Sequence, residues 1–388
     1  QIAEHPVEIA AGATETEKGT ITINKAISGQ TYKIYKMLDL ESYNKDVNPG
    51  LYSYKPANDQ WKAFFETGDG KDYVTINKDG YVEWKAAVET TEAAELAQKA
   101  LAYAAKAGIT ATGTEVAKTT TVTFGNLDLG YYLVDSSLGA LCGLTTTDNE
   151  VTIEEKNEAP TIVKNVYNEN DEQAKSNTAY IGSRIQFEIL INVKKGAENY
   201  VLHDELENGL KLDETTTQFQ PTPVFLYDDI SNNMESGVDY IYEKTTNGFN
   251  VTLTEQYLKK NKDKEPYTVH VGYYAILTEN ATIGPAGNKN KAWLSYGTSQ
   301  ETKPEETITR TYAFAVLKFY RNADGTEKGL ANAKFKLYTD ATCSDDKIVK
   351  LKGNGNNRYI VDKSSTDNIL TSPENGEFVI QGLKAGTY

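Results

Sequence analysis

The sequence predicts a mainly β protein made of tandem β-sandwiches, with one helix in its N-terminal part. Three observations predict it. The 388 residues include 26 Tyr but only two Met and two Cys, a composition suited to pleated surfaces more than to helical cores. Apolar and polar residues alternate in short runs bounded by turn residues. Segments at the two ends of the chain also resemble each other: Phe124–Tyr132 lines up with Ile380–Tyr388 through matched Leu, Gly and Tyr, and Tyr32–Tyr35 with Phe335–Tyr338. The first and last parts therefore read as versions of one sandwich.

In the first part, Thr20–Asn24 and Thr31–Asp39 alternate as half-buried strands. Residues 87–106 are Ala-rich, stop at Gly108, and place Leu96, Ala100, Leu101 and Ala104 on one face, which predicts the helix. Thr119–Phe124 and Tyr131–Val134 are strands around a turn at Gly130. The polar run Asn157–Thr161, with Pro160, marks a boundary. The second part reads as strand and turn throughout: Ile185–Val193, Val224–Tyr227, Phe249–Leu253, Tyr267–Leu277 and Ala292–Tyr296. A polar connector at Glu301–Glu306 precedes a third part from about Tyr312. The expected domains are 1–158, 159–310 and 311–388. The last is expected to be truncated, because Tyr388 falls where a strand should begin.

Forty basic and 55 acidic side chains leave a net charge of −15, which argues against nucleic acid as a partner. There is no apolar run of membrane-spanning length and no charged-then-apolar leader, as expected of a cytosolic or an already processed chain. Cys142 and Cys343, far apart in the chain, read as unpaired, with a disulfide between them as the alternative. His5, His203 and His270 lack metal-ligand spacing, and no phosphate loop, nucleophile elbow or Cys-x-x-Cys pair is present, so neither cofactor nor metal is expected and the chain does not read as an enzyme. A carbohydrate-active enzyme would need two facing carboxylates, and nothing nominates a pair.

Extracellular sandwiches are often stapled by disulfides, which two distant Cys cannot supply. A Lys–Asn amide is an alternative staple. It needs a Lys whose amine is neutral through burial, a carboxylic acid kept protonated by the same apolar surroundings, and an Asn in contact with both. Apolar flanking selects Lys164 within Thr161–Val166, Asp204 within Val201–Leu210, and Asn290, just ahead of the strand Lys291–Tyr296. Glu205, the neighbour of Asp204, should face the other way; Asn288 shares a face with Asn290 and competes with it.

Several segments in order resemble the backbone (major) pilins of Gram-positive bacteria, the sortase-assembled shaft subunits. They are Gly19–Asn24 with Gly29–Lys36, Leu129–Val134, Asn149–Asn157, Asp204–Leu210 and Gly287–Tyr296. Val316–Phe319 through Gly329–Phe335 is similar to collagen-adhesin B-type repeats. The resemblance implies immunoglobulin-like, collagen-adhesin-like sandwiches. It also implies a secreted, cell-wall-anchored pilus whose partners are a pilin-specific sortase, further copies of this chain, minor pilins and a possible host surface ligand. Glu154-Glu-Lys-Asn157 matches a Tyr-Pro-Lys-Asn-like motif, which makes Lys156 the implied sortase-linkage lysine, with Glu154 and Glu155 in place of Tyr-Pro; their carboxylates are expected to favour its charged ammonium. The middle-domain pattern implies a Lys164–Asn290 isopeptide bond promoted by Asp204. Lys318 matches the bond-forming Lys of the B-type repeats, with its partners expected beyond Tyr388. Lys25, Asp135 and Asn149 are the corresponding candidates in the first domain, where such a bond is often lacking. The alternative is an accessory or tip adhesin, binding host matrix or glycan through Tyr-rich surface such as Tyr240–Tyr242.

Overall fold

The computed structural model describes residues 7–9, 18–44, 51–85, 90–141 and 150–388. They form two compact units. The first holds the chain to Ala159 together with Lys195–Glu198 and Tyr296–Gln300; the second holds Pro160–Lys194, Asn199–Ser295 and Glu301–Tyr388. The principal strands of the first unit are β1 (Gly19–Asn24), β2 (Thr31–Asn44), β3 (Thr121–Leu127), β4 (Gly130–Ser136) and β5 (Glu150–Glu154).

β1 sits between β5, to which it is parallel, and β3, to which it is antiparallel. β2 and β4 form the middle of the other sheet, flanked by Leu51–Pro56 and Val7–Ile9. β4 is buried along its whole length. One of its faces sends Tyr132 and Val134 into the space between the sheets, against Ile21, Ile23, Phe124 and Ile153. The other sends Tyr131 and Leu133 under two helices, α1 (Asp59–Glu66) and α2 (Thr90–Ala107). A strand covered on both faces has no solvent side, which is why Tyr131–Val134 is apolar at consecutive positions.

α2 is the helix expected from the sequence. Ala93, Leu96, Ala97, Ala100 and Ala104 are buried and Leu101 is half-buried. α1 was not expected. Its eight residues are rich in aromatic side chains, which by propensity favour strands. The Asn58 side chain decides the matter by accepting the Trp61 amide at 2.9 Å, an N-cap, after which Trp61, Phe64 and Phe65 recur at helical spacing on the buried side.

In the second unit two sheets face each other. One has β6 (Thr161–Tyr167), β7 (Arg184–Val193) and β10 (Tyr267–Leu277) side by side in that order. The other runs β12 (Glu305–Arg310), β11 (Asn288–Tyr296), β8 (Val201–Leu206), β9 (Gly248–Leu253). Alternation is strict in the long strands: Phe187, Ile189, Ile191 and Val193 on β7, and Val269, Val271, Tyr273, Ala275 and Leu277 on β10, are all buried. Gly248 lies where a Cβ would come 2.0 Å from the Asp204 carbonyl oxygen, so only glycine lets β9 approach β8 so closely there. The unit also holds a four-stranded sheet that includes β13 (Tyr312–Leu317), β14 (Arg358–Val361) and β15 (Glu377–Leu383). Val349, Leu351, Val361, Leu370, Phe378, Ile380 and Leu383 make its core, so this last stretch of chain is ordered around apolar contacts of its own.

The repeated segments share more than letters. The Tyr132 hydroxyl donates to the Asp128 carbonyl oxygen at 2.6 Å, and the Tyr388 hydroxyl donates to the Lys384 carbonyl oxygen at 2.7 Å. Each Tyr thus pins the turn four residues before it, as in the tyrosine corners of sandwich folds. Replacing Tyr132 with Phe keeps the ring and removes this bond. Urea unfolding followed by the fluorescence of Trp61 and Trp84 should show the first unit losing about 1 kcal/mol.

Candidate functional site

The site lies between the facing sheets of the second unit. β6 presents Lys164 opposite Ile189 of β7, and β10 presents Tyr273 opposite Phe187. From the other sheet come Asp204 on β8 and Asn290 on β11. Asp204 is paired with Ala292, so Asn290 stands two residues along on the same face. β11 begins at Asn288, so Asn290 is inside the strand rather than ahead of it, contrary to the sequence reading. That places its carboxamide in the core instead of a loop.

Lys164 is entirely buried, as are Asn290 and Tyr273, and Asp204 is nearly so. The Lys164 Nζ lies 2.5 Å from Asp204 Oδ2 and 2.5 Å from the Tyr273 hydroxyl. The Tyr273 hydroxyl donates to Asp204 Oδ2 at 2.7 Å and accepts from Asn290 Nδ2 at 2.8 Å. Aromatic rings wall the cluster. Phe187 stacks on Tyr273 with centroids 5.4 Å apart, Phe249 meets it edge-on at 4.9 Å, and the amine sits 5.5 Å from the Phe187 centroid.

This environment favours uncharged forms. Burial pushes the Lys164 amine below its ordinary range, and the nearby Asp204 only partly opposes the shift. Burial pushes the Asp204 carboxyl up, again with partial opposition from Lys164. Asp204 Oδ1 and Asn290 Oδ1 have no hydrogen-bond partner. Each is a buried acceptor lacking a donor, so an ionised Asp204 would leave part of its charge neither solvated nor hydrogen-bonded. A neutral amine, a carboxylic acid and a carboxamide gathered in a dry space are the chemical requirements for amide exchange.

The two competitors weighed from the sequence fall away for separate reasons. Glu205 faces outward, 3.4 Å from Lys291. Asn288 is buried, but its carboxamide is engaged on both sides, accepting from the Thr282 amide at 2.8 Å and donating to the Thr282 and Thr309 carbonyl oxygens at 3.1 and 3.2 Å. Tyr273 was missed. Its signal was its place in the middle of the Tyr267–Leu277 alternation, on the apolar face, where a hydroxyl requires a partner.

In the first unit Lys25 and Asp135, two of the expected three, are held in different surroundings. Lys25 is 68% exposed and pairs with Glu154 at 3.0 Å, so its amine lacks the burial that condensation needs. Asn149 lies outside the described residues, as does Cys142; Cys343 is exposed and free. Asp135 is buried opposite Lys33 on β2. Lys156 is exposed beside a cleft of about 490 Å³ whose walls include Lys25, Ile27, Glu158 and Lys195. The residues on either side of it point elsewhere. Glu155 is buried, with Oε1 accepting the Asn157 amide at 2.9 Å. The Asn157 carboxamide fills the space where a Cβ on Gly196 would be, 1.7 Å from that position, and Gly196 has φ +77°. The sequence reading placed Glu155 with Glu154 at the Lys156 ammonium; its carboxylate instead turns into the core.

Lys318 is half-buried between β13 and the next short strand, its amide donating to the Gly376 carbonyl oxygen at 2.9 Å. Tyr240, expected on an exposed adhesive surface, is a core residue at 3% exposure, and Tyr242 packs near Phe249. Alternation puts only Ile241 of that run fully outside. Among the described residues no cluster of His, Cys, Asp and Glu has metal-binding geometry, and no helix is long and apolar enough to cross a membrane.

Asp135 carries a measurable consequence. Burial first, then the charge of Glu198, raises its pKa from 3.8 to about 7, with Lys33 opposing and Glu155 adding to the shift. A carboxyl that keeps its proton longer when folded binds more protons in the native state between these values. Stability attributable to it is therefore greatest near pH 4 and falls as pH rises to about 7. Asp135→Asn should leave the melting temperature near pH 4 almost unchanged. By pH 8 it should raise it, by the equivalent of roughly 2–4 kcal/mol.

No family model matches the chain, and no curated protein sequence does. Solved structures do. The T6 backbone pilin of serotype M6 Streptococcus pyogenes superposes with a TM-score of 0.55 at 17% identity, covering 96% of this chain and 76% of that one; it is described as a modular three-domain structure. The major pilin SpaA of Corynebacterium diphtheriae gives 0.51 at 14% identity, covering 95% and 84%; its structure is described as pointing to a modular pilus assembly stabilizing isopeptide bonds. The full-length major pilin SpaD of the same organism gives 0.48 at 17% identity, covering 96% and 83%. The chain thus has the fold of the Gram-positive major pilins, tandem immunoglobulin-like β-sandwiches.

Proposed function

We propose that this chain is a structural shaft subunit of a covalent pilus on a Gram-positive cell surface. In this reading three modules, 1–158, 159–310 and 311–388, follow one another. The second is braced by an amide between Lys164 and Asn290, formed once by the protein on itself. Asp204 is the acid that promotes it, and the neutral Lys164 amine is the nucleophile. A second lysine, Lys156, accepts the next subunit from a pilin-specific sortase, which makes the polymer head-to-tail; minor pilins are the further partners. Lys318 is the candidate for a bond in the third module.

The observation that carries this reading is the complete burial of Lys164 in contact with Asp204 and, through one hydroxyl, with Asn290. A buried lysine beside an aspartate is costly to keep as an ion pair, since desolvation of both charges offsets their attraction. Condensation removes the amine for good. The fold shared with major pilins supports the polymer reading, and the exposed Lys156 between two inward-held neighbours supports its role as acceptor. Tyr240, the anchor of the adhesin alternative, is in the core, and no observation favours that alternative over the shaft.

Intact-protein mass spectrometry tests the brace. The mass should fall short of that of the sequence by about 17 Da per bond, the ammonia expelled on condensation. Asp204→Asn should restore the full mass and lower the thermal midpoint. A crosslink closing a long loop is worth roughly 4–5 kcal/mol by the chain-entropy argument used for disulfides. An Asp204→Asn protein with the same mass deficit as the parent removes the proposed role of the acid.

The linkage is tested separately. Incubated with its sortase and a subunit bearing a sorting signal, the parent should give a ladder on a denaturing gel. Lys156→Arg keeps the charge without an acylatable amine of the same kind, and should give none. A ladder that persists in Lys156→Arg assigns the junction to another lysine.

A further inference from the structure

The three-residue account of the brace leaves one transfer without a route. When Lys164 attacks the Asn290 carboxamide carbon, the leaving group is the Asn290 nitrogen, and it must depart as ammonia rather than as amide anion. That nitrogen needs one more proton. Among the described residues the sole hydrogen-bond partner of Asn290 Nδ2 is the Tyr273 hydroxyl, at 2.8 Å. Asp204 reaches that nitrogen by no bond of its own: Oδ2 is taken up by Lys164 and Tyr273, and Oδ1 has no partner. The hydrogen-bonded path from acid to leaving group therefore runs through a phenol.

We propose that Tyr273 is a catalytic residue of the condensation, relaying a proton from Asp204 to the departing nitrogen of Asn290. This inference rests on the assignment of Lys164, Asp204 and Asn290 as the bond-forming residues. The Lys164 Nζ–Asn290 Cγ bond forms from the neutral amine's lone pair. With Asp204 ionised the phenol donates to Oδ2 and accepts from Nδ2. With Oδ2 protonated both bonds reverse, so that as the Cγ–Nδ2 bond breaks the Tyr273 hydroxyl turns its proton to Nδ2 and Asp204 gives its own proton to the phenol oxygen. Asp204 then takes the surplus proton from Nζ, which its Oδ2 faces at 2.5 Å. The balance is one amide N–H left on Nζ, one ammonia released, and both Asp204 and Tyr273 returned to their starting forms. No oxidant, metal or water is consumed.

Two features of the site suit a relay. One oxygen, Asp204 Oδ2, serves both ends of the exchange, lying 2.5 Å from the amine and 2.7 Å from the phenol, so the acid need not rotate between giving and taking. The phenol ring is also held in place by Phe187, stacked on it, and by Phe249, perpendicular to it. Burial raises the Tyr273 pKa well above its ordinary value, which disfavours a free phenolate and requires the proton to arrive as the other leaves.

The test is a rate. Full-length protein is expressed in a short pulse and sampled over time, and the fraction lighter by about 17 Da is read from intact mass. Tyr273→Phe, which keeps the ring, should slow the loss by about 100-fold or more, the scale of a lost general acid. 3-Fluorotyrosine inserted at position 273 makes the phenol more acidic while keeping its contacts. It should change the rate several-fold and leave the melting temperature of the unreacted form unchanged, a result that a purely packing role does not produce. If Tyr273→Phe matures at the parent rate while Asp204→Asn does not mature, the relay is overturned and the brace stands. If Tyr273→Phe does not fold, the fluorotyrosine protein decides, and a rate equal to the parent's overturns the relay. A parent chain that never loses the mass overturns the brace itself.

Discussion

The structure of the second unit turns on an amine with nowhere to be charged. Lys164 is placed at the centre of a sandwich, among Phe187, Tyr273 and Phe249, with no access to solvent. A side chain of this kind normally keeps its head in water and buries only its stem. Here the stem is short of the surface, and the nearest stabilising group, Asp204, is equally buried. Each partner is pushed by burial toward its neutral form. Neutral, the pair ceases to be a salt bridge and becomes a nucleophile beside an acid.

The surrounding register makes that arrangement reproducible. Lys164 and Tyr273 come from one sheet, separated by β7, whose Phe187 and Ile189 stand opposite them. Asp204 and Asn290 come from adjacent strands of the other sheet, offset by two residues. A slip of one residue in any of these strands would turn its reactive group to the outside. The alternation of β7 and β10 resists such slips, because every second residue along both is an apolar side chain already in the core. Gly248 adds to this by letting β9 close against the Asp204 carbonyl. The proposed amide would join the two sheets through their centre.

The first unit uses buried carboxyls without an amine. Asp135 and Glu155 are both enclosed and both have pKa values raised by burial, while the exposed Lys25 amine pairs with Glu154. Glu155 instead holds the backbone beyond Lys156, and Asn157 fills the space that Gly196 leaves open. Lys156 stands between these two inward-held neighbours and is presented outward. The two proposed lysine chemistries therefore call for opposite environments. The internal bond needs an amine deprived of water, and a linkage made by another protein needs one within reach.

Much of this was legible in the sequence. Strict alternation identified the long strands, because a period of two is imposed by the pleat itself, and the Ala-rich run identified α2 because a period near four needs no tertiary partner to be visible. The matched segments around Tyr132 and Tyr388 were visible as letters, and the shared hydroxyl bond explains the match. Lys164 stood out because it interrupts an apolar run, and Asp204 and Asn290 because each lies in or beside one. Helix α1 was not, since eight aromatic-rich residues carry conflicting propensities and a single cap at Asn58 settles them. Lys25, Glu155 and Tyr240 were misplaced because local sequence records which residues alternate, while which face is inside depends on what packs against it. Tyr273 is the clearest case. Its own strand specified that it would be buried, but only the meeting of two sheets, strands distant in the chain, decided that its hydroxyl would touch an amine, an acid and an amide at once.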